Sequence, residues 1–177
     1  LFESLHGEGG SVLDGRAAFL LDGSSLTLEA TPELLKAYPP ARNQHGASHW
    51  PIMRVVVAHD LHTGLACRPA FGPMCGPTAL SEQALADQLI ERLPAGSCII
   101  GDRNFGIFAT AYRAFQTGHP VVLRLTEVRA QALGGIGLNC GMDQRMLWKP
   151  STWDRKNHPS LPADAQISGR LLVQRIE

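Results

Sequence analysis

Two aspartates stand where a folded chain can hold a metal ion. Asp22 closes the apolar run Ala17–Leu21 and precedes Gly23-Ser24, and Asp102 follows the apolar run Ser97–Ile100 through Gly101 and precedes Arg103-Asn104. Short apolar runs bounded by turn residues read as buried strands, so each acid is expected at the carboxyl end of a strand. Ligand sites of open α/β sheets gather just beyond those ends. Two such carboxylates on neighbouring strands can share one divalent cation. Mg2+ prefers oxygen ligands, takes one or two protein carboxylates, and leaves positions for substrate phosphate oxygens. The same residues also fit a plain structural role, because an aspartate after a strand often forms a turn or caps a helix.

The elements that must position these acids follow from the pattern around them. Residues 1–16 are Gly-rich and irregular, and residues 32–51 carry Pro, Gly, Asn and His and read as a long loop of the kind that often serves function. Met53–Ala58 and Leu65–Phe71 read as a hairpin turning through Asp60–Gly64. Ser81 is placed to cap a helix with Glu82 in its first turn and Leu85, Leu89, Ile90 and Leu93 on one face; Pro94 and Gly96 stop it. A second helix is expected after Gly106 from the spacing of Phe108, Ala111, Tyr112 and Phe115, ending at Gly118 and Pro120. Pro120–Leu125 is then a further strand. The order to residue 126 is β-β-β-α-β-α-β, an α/β fold. Residues 127–177 change character and read as a β-rich segment with strands at Gln144–Lys149 and Gly169–Ile176.

Composition sets the outer bounds. The chain has 177 residues with net charge zero, ordinary for one globular domain. Residues 1–102 carry 6 Lys/Arg against 11 Asp/Glu, while residues 103–177 carry 10 against 5. Such a split points mildly to a polyanionic partner; the 13 Arg against 3 Lys suit phosphate recognition or else reflect codon bias in a GC-rich genome. No apolar run reaches membrane-spanning length, and both ends read as cuts within a longer protein. Cys67, Cys75, Cys98 and Cys140 form no CxxC pair, which fits a reduced compartment. The HxxxH spacing of His45 and His49, with His59 and His62 nearby, offers a rival zinc site, but it lies beside Gly46 and Trp50-Pro51 and lacks the helix and glutamate that such motifs need.

The motifs together resemble a known family. Phe19-Leu20-Leu21-Asp22-Gly23-Ser24 resembles the first-acid motif of DDE insertion-sequence transposases, and Cys98-Ile99-Ile100-Gly101-Asp102-Arg103-Asn104-Phe105-Gly106 resembles their second-acid motif. His62-Thr63-Gly64-Leu65 resembles the hairpin turn between them, and Trp148, Pro150 and Arg170 resemble the start of the β-rich insertion of the IS four family. The resemblance covers about residues 15–177. It implies a ribonuclease-H-like core over residues 1–126 and the start of a β-rich insertion over 127–177. It further implies two Mg2+ ions (Mn2+ as substitute) held by Asp22, Asp102 and a third acid. That third acid is a Glu within a Tyr, Arg, Glu, Lys pattern that has no counterpart here, since neither Glu127 nor Glu177 fits, and it is expected beyond residue 177.

The activity implied is cleavage of transposon-end DNA and joining of the freed 3′ hydroxyl to target DNA. The partners implied are DNA and further copies of the chain, with no membrane, in a prokaryotic cytoplasm at the nucleoid. Arg103 is expected to meet a DNA phosphate or steady Asp102. Lys149, Arg155 and Lys156, beside Trp148 and Trp153, are expected to meet DNA by charge and stacking, or else to form a solvated loop over a small core. Without the third ligand the chain alone is expected not to cleave. The alternatives are a non-catalytic transposase remnant and another ribonuclease-H-like nuclease.

Overall fold

The computed structural model describes residues 13–44, 46–134 and 138–174. Its centre is a mixed sheet of six strands: β1 (Ala18–Thr27), β2 (Pro40–Asn43), β3 (Gly46–Asp60), β4 (Ala66–Pro73), β5 (Cys98–Gly101) and β6 (Val121–Leu123). β3 pairs antiparallel with β1 on one side and with β4 and then β2 on the other; β1, β5 and β6 run parallel. Parallel neighbours require a crossover. Helix α2 (Glu82–Ile90) precedes β5, and helix α3 (Phe108–Gln116) links β5 to β6. The strand-strand-strand-helix-strand-helix-strand order is therefore present. Helix α1 (Pro32–Ala37) and strand β2 are inserted within the stretch expected as a structureless loop.

Alternation decides which face is covered. Phe19 and Leu21 on β1, Val56 and Ala58 on β3, and Ile99 on β5 are buried with Leu85, Leu89 and Ile90 of α2 and Ala114 of α3. Each large apolar side chain so buried contributes about 1.5–3 kcal/mol. The intervening residues of β1 look the other way, and Leu20, Asp22, Ser24 and Leu26 are exposed. Sequence reading takes β1 as a strand buried throughout; the structure makes it one-sided, because helices cover only one face.

The local signals around these elements act as their chemistry dictates. The Ser81 hydroxyl accepts from the Ala84 amide at 3.1 Å, capping α2 above Glu82. The β3–β4 turn closes through the Gly64 amide to the Asp60 carbonyl at 2.7 Å, and Gly64 sits at φ +71, where a Cβ would be strained.

Residues 127–174 are less uniformly β than expected. Helix α4 (Glu127–Gly134) and helix α5 (Thr152–Asn157) accompany the antiparallel pair β7 (Asp143–Trp148) and β8 (Ile167–Leu172). The expected strands lie close to β7 and β8, and Ile176 falls outside the described residues. α5 starts with a capping box in which Ser151 and Asp154 satisfy each other's backbone amides. Trp148, Ala165 and Ile167 pack on Phe108 and Ala111 of α3 in a second apolar cluster. Among the described residues, no helix is long and apolar enough to cross a membrane.

Candidate functional site

The register of the central strands sets the two acids side by side. β1 and β5 are paired from Ala18 with Cys98 through Leu21 with Gly101. Asp22 and Asp102 are each the next residue, so the two carboxylates leave adjacent parallel strands at one level. Asp22 does not end its strand, as sequence reading expects. β1 runs on to Thr27 beside β3, with Asp22 opposite Val57. What ends at Asp22 is its pairing with β5. The acid thus sits at the notch where the sheet loses a strand, on the face left uncovered by α2 and α3. Both acids are exposed, which suits a cation that must also take water and substrate oxygens.

The chain beyond Asp102 is held by a set of hydrogen bonds. The Asp102 carboxylate oxygen Oδ1 accepts from the Asn104 amide at 2.8 Å, and the Asp102 carbonyl accepts from the Phe105 and Gly106 amides at 3.1 and 3.0 Å. Asp102 therefore forms its turn and keeps Oδ2 for another partner. The Gln83 side chain donates to the Asn104 carbonyl at 3.0 Å, tying the turn to the start of α2. From the other side Arg129 of α4 donates through one guanidinium nitrogen to the carbonyls of Arg103 at 2.9 Å and Gly106 at 3.2 Å. Arg129 is a positioning residue that no local pattern announces, since it reaches back 26 positions in the chain.

Two further groups border the acids. His59 Nε2 stands 4.0 Å from Asp22 Oδ2. The Glu82 carboxylate lies against Gly23, close enough that a Cβ there would fall 2.9 Å from its Cδ, and its Oε2 accepts from the Asn104 side-chain nitrogen Nδ2 at 3.5 Å. Glu82 is legible in the sequence only as a first-turn acid. Its place beside the site depends on how α2 packs. Among the described residues no three His, Cys, Asp or Glu side chains converge as a metal-binding group.

Arg103 follows Asp102 in the same turn, and the remaining sequence candidates lie on later elements. Arg103 is exposed, and its carbonyl is engaged by Arg129. Lys149 and Lys156 are exposed, while Arg155 donates to the carbonyls of Pro162 and Ala163 at 3.3 and 2.8 Å and so braces the loop after α5. Trp148 is buried, edge-on to Phe108 at a centroid distance of 5.8 Å, so its ring is packing and not a stacking platform; Trp153 is exposed. Arg170 is paired with Asp143 across β7 and β8, and the guanidinium holds the Asp143 carboxyl below its ordinary range. Cys67 and Cys98 are buried, and the Cys67 thiol donates to the Ala58 carbonyl at 3.1 Å. Of the rival zinc pair, His45 lies outside the described residues and His49 is on a strand, not a helix. Comparisons with protein-family models, with curated proteins and with solved structures gave no match.

Proposed function

We propose that this chain carries the first two acids of a DDE transposase core of ribonuclease-H-like type, resembling the IS four family, and that its substrate is DNA. The observation that carries the reading is the in-register parallel pairing of β1 and β5, which puts Asp22 and Asp102 on neighbouring strands at one level. The strand and helix order, with both acids on central strands, supports it. The donor set fits Mg2+ or Mn2+: two exposed carboxylates with oxygen donors only, and room around them for water. Asp22 and Asp102 would hold the ion, and a bound ion would supply activation of a nucleophilic oxygen and stabilisation of a leaving oxygen in phosphoryl transfer. The chain's own part is geometric. β1 and β5 fix the spacing of the carboxylates, and Arg129 and Gln83 hold the Asp102 turn.

Mn2+ titration of the chain, followed residue by residue through paramagnetic broadening, tests this. Broadening centred on residues 22 and 102 is expected, with affinity lowered about tenfold or more in Asp22→Ala and in Asp102→Ala, because each removes one of few protein ligands. Binding that ignores both substitutions sinks the reading and leaves a non-catalytic fold. A milder outcome is expected for Arg129→Ala: loss of two loop hydrogen bonds costs about 1–3 kcal/mol of stability and weakens Mn2+ binding less than removal of Asp102. Equal Mn2+ affinity in Arg129→Ala and the parent chain would show that the turn holds itself.

A further inference from the structure

The stretch expected as a loop is a projecting β-ribbon. β3 is the longest strand, and its partners run out before it does: β1 ends opposite Ile52 and β4 opposite Met53. Beyond Pro51, whose carbonyl still accepts from the Leu28 amide at 2.9 Å, β3 pairs only with β2 among the described residues, with Arg42 opposite Ala47 and Asn43 opposite Gly46. All five residues Gly46–Trp50 are exposed. The ribbon leaves the sheet past the carboxyl end of β1, the same end at which Asp22 and Asp102 lie.

Its chemistry is one-signed. Between Glu33 and Asp60 the sequence holds no acidic residue, while Lys36, Arg42 and Arg54 are cationic. Arg54 is used inside the fold, donating to the Leu80 carbonyl at 2.7 Å. Arg42 is exposed on the ribbon, with His49 exposed on the opposing strand. Trp50 is 49% exposed, with His49 edge-on to it at 4.8 Å. An exposed tryptophan and an exposed guanidinium on one ribbon, within a stretch whose sequence holds no carboxylate, are complementary to a nucleic acid and not to a cationic or neutral surface.

We propose that the β2–β3 ribbon is a DNA arm that lies in the major groove, with Arg42 on the phosphate backbone and Trp50 and His49 toward the groove. A two-stranded ribbon fits that groove, which is about 12 Å wide. From Val57, opposite Asp22, to Ala47, opposite Arg42, β3 runs ten residues, about 33 Å at strand rise. That is close to one turn of duplex, about 34 Å. The arm therefore reaches DNA about one turn from a phosphate held at the acids. The inference rests on the reading of DNA as substrate.

The test is fluorescence anisotropy of a labelled 30-base-pair duplex with the whole chain, across a salt series. Arg42→Ala/His49→Ala/Trp50→Ala is expected to bind at least tenfold more weakly, with the salt slope reduced by about one, the share of a single phosphate contact. Arg42→Glu, at an exposed position that leaves packing alone, is expected to weaken binding as far. Mn2+ affinity at Asp22 and Asp102 should be unchanged in both variants, which separates failure of the arm from failure of the metal reading. Duplex binding within twofold of the parent in both variants overturns the arm. Tighter binding to a single-stranded 30-mer than to duplex overturns the groove assignment. Absence of salt-dependent duplex binding by the parent chain sinks the arm together with the DNA reading.

Discussion

Gly106→Ala is expected to destabilise the chain by about 2–4 kcal/mol and to weaken divalent-cation binding with it. A Cβ built at Gly106 falls 2.2 Å from the carbonyl oxygen of Arg124. Backbone on both sides must give by about an ångström, so the cost belongs at or above the upper end of the 1–3 kcal/mol usual for overpacking. The conflict is one of space and not of dihedral angle, since Gly106 does not have a positive φ. The affected backbone belongs to the turn that starts at Asp102: the Gly106 amide donates to the Asp102 carbonyl, and the Gly106 carbonyl accepts from Arg129. Pushing Arg124 away from Gly106 also strains the bond from its amide to the Gly101 carbonyl at 2.9 Å, which closes β5 against the chain after β6. Thermal unfolding should show a fall of about 5–15 °C for a chain of this size. Gly118→Ala is the control: it sits at φ +77 with open space around it, so only the backbone term, about 1 kcal/mol, is expected. Equal, small losses in the two variants would show that the Asp102 turn tolerates displacement.

The sequence made the acids legible because their signals are local. An apolar run ending in Gly-Asp-Arg-Asn at residues 101–104 marks a strand and a turn without any knowledge of the fold. Ser81 followed by Glu82 marks a helix start, and Gly64 a hairpin. The register between β1 and β5 was expected only as proximity. Pairing partners are a tertiary fact, set by the packing of Phe19, Leu21 and Ile99 under α2 and α3.

What was missed has physical reasons of its own. β1 continues through Ser24–Thr27, where every side chain is exposed, so no alternation of apolar residues betrays it. The β2–β3 ribbon is exposed along Gly46–Trp50 and lacks a period of two for the same reason. Helix α4 buries no residue completely, so its apolar stripe is weak, although its Arg129 turns out to hold the Asp102 turn. Helix α1 was more accessible to reading. Thr31-Pro32-Glu33 is a capping residue, a first-turn proline and a first-turn acid, and the Thr31 hydroxyl does accept from Leu34; the surrounding prolines masked it. Trp148 shows the opposite hazard. A tryptophan beside Lys149 looks like a nucleic-acid platform until its ring is seen packed on Phe108.

Asp87→Asn is expected to stabilise the chain by about 1–2 kcal/mol at pH 7.5 and to lose that advantage near pH 4, a dependence that follows from where α2 meets α3. Asp87 lines a cavity of about 280 Å³ with Tyr112, Arg113, Gln116 and His158. Its Oδ1 is buried with no hydrogen-bond partner among the described residues. Arg113 is the cation that offsets its charge, but it is paired with Glu91, one turn further along α2 from Asp87. Burial therefore pushes the Asp87 carboxyl up from 3.8 to about 6, with Arg113 pulling it back only in part. The folded chain holds this proton more tightly than the unfolded chain. Stability is then full below about pH 4 and declines as pH rises through about 6, where the carboxyl must ionise in place. Each pH unit between the two ionisations is worth about 1.4 kcal/mol; partial exposure of the side chain screens the cost and lowers the ceiling of about 3 to the range above. Asparagine keeps the shape and does not ionise. Urea unfolding at pH 4.5, 6 and 7.5 should therefore show the parent chain falling relative to Asp87→Asn as pH rises. A difference independent of pH would mean that Asp87 is solvated or paired in solution, and that the α2–α3 contact carries no ionisation cost.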